Sequence, residues 1–258
     1  MTPRTTQIEF SGWFRGTLVD TPTLRADAFC EPLDGFCGDF IGLYRPAPSV
    51  IIGAIADACG HGAKAAALLQ TASDAGGQAA PLETSPAAQL EVFGARVAAA
   101  GGADDGKFIT AMVFRLDVRS GLLTVALAGH PPPVLIRHGS IVTESWPTGL
   151  PIGIDSTIGA EDITIQLAPG DALVAYTDGV ADARPAGGMP LGFDSASAML
   201  ARAARSADPV ASALSSLGAG QPIDWQADDT TAIFIRLRGL DFEPETPRGQ
   251  AWTPPRRS

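Results

Sequence analysis

Two Ala-rich stretches of helical composition, residues 62 to about 79 and 86–100, interrupt a chain otherwise made of strand-type segments; this succession constrains the fold more than any other feature. Residues 8–19 read as a β-rich opening, and residues 50–56 (VIIGAIA) form an apolar run of strand length between Pro48 and Asp57. The first helical stretch breaks at Gly76-Gly77. The second starts near Pro86, which suits a first helical turn, and stops at Gly101-Gly102. Residues 109–118, 122–128 and 134–137 are β-compatible, the first two parted by Arg119-Ser120-Gly121. Residues 163–167 alternate, and Ala168-Pro169-Gly170-Asp171 turns them into a strand over 172–176. Two Ala-rich helices are predicted over 195–206 and 209–217, and a final strand over 230–237. The pattern suggests two sheets between two helical layers, while periodicity alone supports only the broader α+β class.

A chain of 258 residues, 45% apolar and 18% charged, can bury one domain core. We assign residues 1–24 as an N-terminal β-rich segment of the same domain and 25–238 as its body. Residues 239–258 hold four prolines and no apolar period, and are expected to be a disordered Pro-rich tail. With 18 Lys and Arg against 28 Asp and Glu, the net charge of −10 repels nucleic-acid phosphates and anionic lipids, so neither is an expected partner. Residues 1–9 are polar and lack a secretory core, and no apolar run reaches bilayer length, so a cytoplasmic location is expected. The three cysteines, Cys30, Cys37 and Cys59, have no CxxC spacing, which disfavours a disulfide scaffold or structural zinc. No Gly-x4-Gly-Lys-Ser/Thr loop is present for nucleoside-triphosphate chemistry.

Four segments place an aspartate where a predicted strand meets a Gly or polar turn: Gly38-Asp39, Asp57-Ala58-Cys59-Gly60-His61-Gly62, Tyr176-Thr177-Asp178-Gly179 and Asp228-Asp229-Thr230-Thr231. Singly, an Asp-Gly pair after a strand is most often a turn. Together, carboxylates at the ends of different strands can converge, and hard divalent cations want such oxygen ligands. The ordered set, with AGHPPP at 128–133 and GLPIG at 149–153, resembles the bacterial stage II sporulation protein E type of PPM phosphatases, relatives of protein phosphatase 2C. The resemblance covers about residues 25–238.

It implies an α/β, PPM-type four-layer αββα sandwich, two central antiparallel sheets flanked by helices. It also implies two Mn2+ or Mg2+ ions per site, with room for a weak third. By motif position, Asp57 resembles the ligand bridging both ions and the Ala58 carbonyl a further ligand. Asp39 resembles a ligand of the second ion, and Asp178 and Asp228 resemble ligands of the first, with Asp229 left open as an alternative to Asp228. The implied activity is serine/threonine protein phosphatase: the ions activate a water against phosphorus, with Asp57, Asp178 and Asp228 acting through it. The implied partner is a phosphorylated regulatory protein, such as an anti-anti-sigma factor of a bacterial partner-switching system. The second reading is a phosphatase-like domain of little activity that serves as a protein-binding module.

That second reading rests on Gly42, which occupies the second acidic position of the family's GD-x-x-D segment and leaves one outer carboxylate missing. His61, between two glycines at a helix start, is a candidate general acid, with a backbone role as the plainer alternative. His130 reads as structural. Cys59 is either a small filler or an oxidisable thiol near the ions. Arg25 and Arg45 are the candidates for binding the substrate phosphate.

Overall fold

The computed structural model describes residues 6–60, 62–76, 85–99, 106–220 and 225–239. The chain opens with β1 (Thr6–Phe10), β2 (Phe14–Asp20), β3 (Leu24–Glu31), β4 (Asp39–Ala47) and β5 (Val50–Ala58), then α1 (Ala63–Gly76) and α2 (Pro86–Ala99). Next come β6 (Ile109–Asp117), β7 (Leu122–Ala128), β8 (Val134–Arg137), β9 (Ser140–Val142), β10 (Ile163–Gln166) and β11 (Ala172–Tyr176). The last elements are α3 (Asp178–Asp182), α4 (Gly192–Ala203), α5 (Pro209–Leu217) and β12 (Thr230–Leu237). One sheet has the order β1-β4-β5-β6-β7-β10 and the other β2-β3-β12-β11-β8-β9. The ladders between these strands are antiparallel.

Strand parity sorts the side chains into layers, because successive residues point to opposite faces. Ile41 and Leu43 of β4, Ile51 and Ile55 of β5, Leu173 and Ala175 of β11, and Ile233 and Ile235 of β12 fill one cluster between the sheets. The other faces of β4 and β5 (Phe40, Tyr44, Ile52, Ala56) pack under α1 and α2 through Leu68, Leu69 and Leu90. Val174, Tyr176 and Phe234 of the second sheet pack against Met199 and Leu200 of α4 and Leu214 of α5. Each such buried side chain contributes on the order of 1.5–3 kcal/mol, so faces of both parities must be covered. The result is the four-layer αββα sandwich with two antiparallel sheets.

Several elements differ from the sequence expectation. The β-rich opening is two strands in different sheets: β1 pairs with β4, and β2 with β3. β3 and β4 were not anticipated, nor was α3, whose Asp178-Gly179 start reads locally as a turn. α4 begins at Gly192 and ends at Ala203, three residues earlier at each end than expected. α5 has its expected bounds, because Asp208 accepts the Ala211 amide at its start, Pro209 opens it and left-handed Gly218 closes it. The tail expected to be disordered lies, from residue 240, outside the described residues.

Candidate metal centre

Asp39 is the first residue of β4 and Asp57 the last but one of β5, and the two are register partners across the ladder. They share the parity of Ile41, Leu43, Ile51 and Ile55, so both carboxylates turn toward the second sheet. On that sheet Thr177 follows β11, Asp178 opens α3, and Asp228-Asp229 lead into β12. All four acidic segments therefore meet at one end of the inter-sheet cleft.

Thr177 joins the sheets. Its amide donates to the Thr231 carbonyl at 3.0 Å, and its hydroxyl accepts the Thr231 N–H at 3.1 Å and donates to Asp39 Oδ2 at 2.9 Å. This fully buried hydroxyl fixes the Asp39 carboxylate from the opposite sheet. The sequence flagged the surrounding motif but gave Thr177 no role, since its partner lies 138 positions away.

Asp228 and Asp229 do different work. Asp229 is buried, and its Oδ1 and Oδ2 accept the amides of Leu33 and Gly38, each at 2.7 Å, which hangs the β3–β4 loop on the second sheet. Asp228 is half-buried and accepts the Asp229 amide at 2.8 Å through Oδ1. The glycines of the motifs mark close approaches. A Cβ on Gly179 would stand 1.9 Å from the Asp229 carbonyl oxygen, and one on Gly38 2.9 Å from the Ala65 Cβ. The Ala58 amide donates to the Gly38 carbonyl at 2.9 Å, which binds the two strand ends together.

Crowding sets the electrostatics. Burial, then the charges of Asp178, Asp228 and Asp229, push the Asp57 carboxyl up to about 8. Burial and then Asp57 hold Asp39 well above the usual carboxylate range, and burial followed by Asp182 raises Asp178. Groups that repel each other this way favour a bound positive charge. Among the described residues, no three Asp, Glu, His or Cys side chains already close around a common ion position. Magnesium-type sites nevertheless use only one or two carboxylates per ion and keep several waters. The donor set of Asp39, Asp57, Asp178 and Asp228, all oxygen and all at the same cleft mouth, fits hard divalent cations.

The remaining candidates separate clearly. His61 lies outside the described residues. His130 is buried, and its Nδ1 pairs with the Thr110 hydroxyl at 3.0 Å; burial pushes it down to about 3, so it is a neutral packing group. Cys59 is half-buried and its sulfur accepts the Phe108 amide at 3.3 Å. Arg25 and Arg45 do not belong to the site. Arg25 sits at the far end of β3 against Asp27 and Arg236, and Arg45 at the far end of β4 on the Pro48 carbonyl. Arg45 lies six positions beyond Asp39 along β4, roughly 20 Å of strand.

Gly42 also needs correction. It has the parity of Phe40 and Tyr44, which face the helices, whereas Asp39 faces the cleft. A side chain at position 42 would meet both rings at 3.0 Å and point away from the metal candidates. Its small size is a packing requirement of this layer and no longer argues for a defective site.

Residues 49–238 match the model of a family described as Stage II sporulation protein E (SpoIIE). Asp39 and Gly42 precede the matched residues. The SiaA-PP2C domain of Pseudomonas aeruginosa superposes with a TM-score of 0.71 at 24% identity, covering 82% of this chain and 85% of that one. The RsbU and RsbW domains of Rv1364c from Mycobacterium tuberculosis give 0.66 at 25% identity, covering 89% of this chain and 64% of that chain. The PP2C phosphatase domain of SpoIIE from Bacillus subtilis, with a fragment of its regulatory domain, gives 0.67 at 14% identity, covering 91% and 70%. Protein IcfG of Synechocystis sp. is 34% identical over 83 residues, which is 31% of this chain and 13% of that protein. The chain thus spans less than two thirds of the length of the Rv1364c structure and a small part of IcfG.

Proposed function

Because the chain belongs to the stage II sporulation protein E family, we propose that it is a metal-dependent phosphatase that hydrolyses phosphoserine or phosphothreonine on a regulatory protein. The observation that carries this reading is the meeting of Asp39 and Asp57 from one sheet with Asp178 and Asp228 from the other. Burial first, and then the charges of Asp178, Asp228 and Asp229, raise Asp57 to about 8.

Asp57 would be the central ligand of the ion pair in this reading, since the charges of Asp178 and Asp228 bear on it and its own charge bears on Asp39. Asp39 is held in place by Thr177, and the Ala58 carbonyl is a further ligand. Asp228 is preferred to Asp229, because both Asp229 oxygens already accept backbone amides. When bound, a pair of Mn2+ or Mg2+ ions would supply a water acidic enough to attack phosphorus, and positive charge for the phosphoryl oxygens. The cleft walls, Thr177 and the β3–β4 loop keep the ligands oriented before substrate arrives.

The partner proposed is a phosphorylated regulator of a partner-switching system, such as an anti-anti-sigma factor. Support comes from likeness to the Rv1364c structure, which carries RsbU and RsbW domains, and to a bacterial stressosome structure at a TM-score of 0.59 and 21% identity. No helix among the described residues is long and apolar enough to cross a membrane. A cytoplasmic site of action is part of the proposal. The test is hydrolysis of a phosphoserine and phosphothreonine peptide panel with manganese, and again after chelation. Turnover that survives chelation, or none on any phosphopeptide or phosphoprotein offered, would sink the reading.

A further inference from the structure

Cys30 ends the inward-facing run Leu24, Ala26, Ala28 of β3, opposite Thr231 of β12 and Phe14 of β2. Cys37 stands at the close of the next loop, one residue before Gly38-Asp39. Both are buried, and their sulfurs are 3.0 Å apart. A disulfide requires about 2.05 Å, so the pair is within about an ångström of bonding distance.

The loop between them is clamped on every side. Arg15 forks onto the buried Glu31 carboxylate, and Gln226 Nε2 donates to the Glu31 carbonyl at 2.9 Å. Asp229 holds the amides of Leu33 and Gly38, and the Ser11 hydroxyl donates to the Cys37 carbonyl at 3.0 Å. These bonds set the two thiols face to face independently of any interaction between the sulfurs. Nothing in the proposed hydrolysis uses either thiol.

We propose that Cys30 and Cys37 are an oxidative modification site, at which hydrogen peroxide forms an intrachain disulfide that ties the β3–β4 loop to β3 beside Asp39. One thiol attacks a peroxide oxygen and becomes a sulfenic acid, and one water leaves. The second sulfur then displaces the sulfenic hydroxyl, which departs as a second water with the remaining thiol proton. Two thiols and one peroxide give one S–S bond and two waters, the sulfurs losing two electrons and the peroxide gaining them. Burial makes the first step slow, since peroxide reaches the sulfurs only as loop 31–38 loosens.

The experiment reads mass, not activity, so its outcome is separate from that of the phosphatase reading. The intact protein is incubated with hydrogen peroxide, unfolded in excess alkylating reagent and weighed. The expected product has lost about 2 Da before alkylation and takes one alkyl group where the untreated chain takes three, one for each free cysteine. Cleavage at Asp34, which lies between the two cysteines, must leave two peptides, carrying Cys30 and Cys37, joined until dithiothreitol parts them. Cys37→Ala and Cys30→Ala should each abolish the joined pair, and the wild-type map decides the matter even if neither variant folds. The proposal is overturned if Cys30 and Cys37 remain alkylated while only Cys59 reacts. It is also overturned if each sulfur gains oxygen without crosslinking, or if the crosslinks run to Cys59 or between chains.

Discussion

Replacing Asp229 by Asn would present one acceptor and one donor to two backbone amides, leaving the Leu33 or Gly38 N–H without its 2.7 Å partner. A buried amide so stranded costs about 1–3 kcal/mol, so Asp229→Asn should lower the unfolding midpoint of the metal-free protein. Asp228→Asn should leave that midpoint nearly unchanged and lower manganese-dependent turnover by about tenfold or more, as should Asp57→Asn. Denaturation and turnover measured on all three variants check this; a reversed pattern for Asp228 and Asp229 would exchange their roles. His130 carries a second prediction. Its ring titrates near 6.5 when unfolded and is pushed down to about 3 by burial in the fold. The neutral ring is therefore the one the fold accepts. Its contribution is complete above about pH 6.5 and is lost as pH falls from there toward 3, at about 1.4 kcal/mol per pH unit. Urea unfolding of wild type and His130→Gln between about pH 7.5 and 5 should show their stability difference shrinking with acid, whereas parallel curves would remove His130 as the cause. The acidic positions were legible in the sequence because motif order survives without coordinates. The division of labour between Asp228 and Asp229 was not, since it depends on amides about 190 residues away.

Among the elements, β4 is where sequence reasoning and geometry part most. The segment GD-x-x-D invites a carboxylate at position 42, yet a pleated strand sends positions 39 and 42 to opposite faces. Gly42→Asp would press on the Phe40 and Tyr44 rings and bury an unpaired charge under α1 and α2. Overpacking of this kind costs about 1–3 kcal/mol before the charge is counted. The variant should thus unfold at lower urea with its manganese affinity unchanged, and a calorimetric titration showing tighter binding would restore the missing-ligand view. The same physics explains which strands could be read. Leu122–Ala128 and Ala172–Tyr176 are apolar runs fenced by turn residues, and their observed bounds equal the expected ones. β3 carries Asp27 and Glu31, charges that suggest surface, and only the folded chain reveals that Arg25 and Arg15 pair with them. α3 is five residues long, too short for helical periodicity to register, and it exists because Gly179 can lie against the Asp229 backbone.

At the scale of the molecule, the cleft mouth brings carboxylates from two separately hydrogen-bonded sheets together, with Thr177 to Asp39 as one bond that crosses between them. Asp39 and Asp57 belong to one sheet, Asp178 and Asp228 to the other, and like charges across the cleft work against its closure. Divalent cations would turn that repulsion into attraction and join the sheets at this end. A ligand that binds only the native state stabilises it by RT ln(1 + [L]/Kd), about 2.7 kcal/mol at a hundred times Kd. For a chain of this size each kcal/mol moves the midpoint by about 2–4 °C, so saturating manganese should raise Tm by about 5–10 °C over the chelated protein. Because the chain carries a net charge of −10, general screening could also raise Tm, and sodium chloride at matched ionic strength is the control. The contribution of the site is what manganese adds beyond that control. Asp57→Asn on one sheet and Asp178→Asn on the other should each remove most of that added rise, since the joint needs ligands from both sides. If manganese adds nothing beyond salt, or if substitution on one sheet alone matters, the cations do not join the two sheets and the centre must be assigned to a single one.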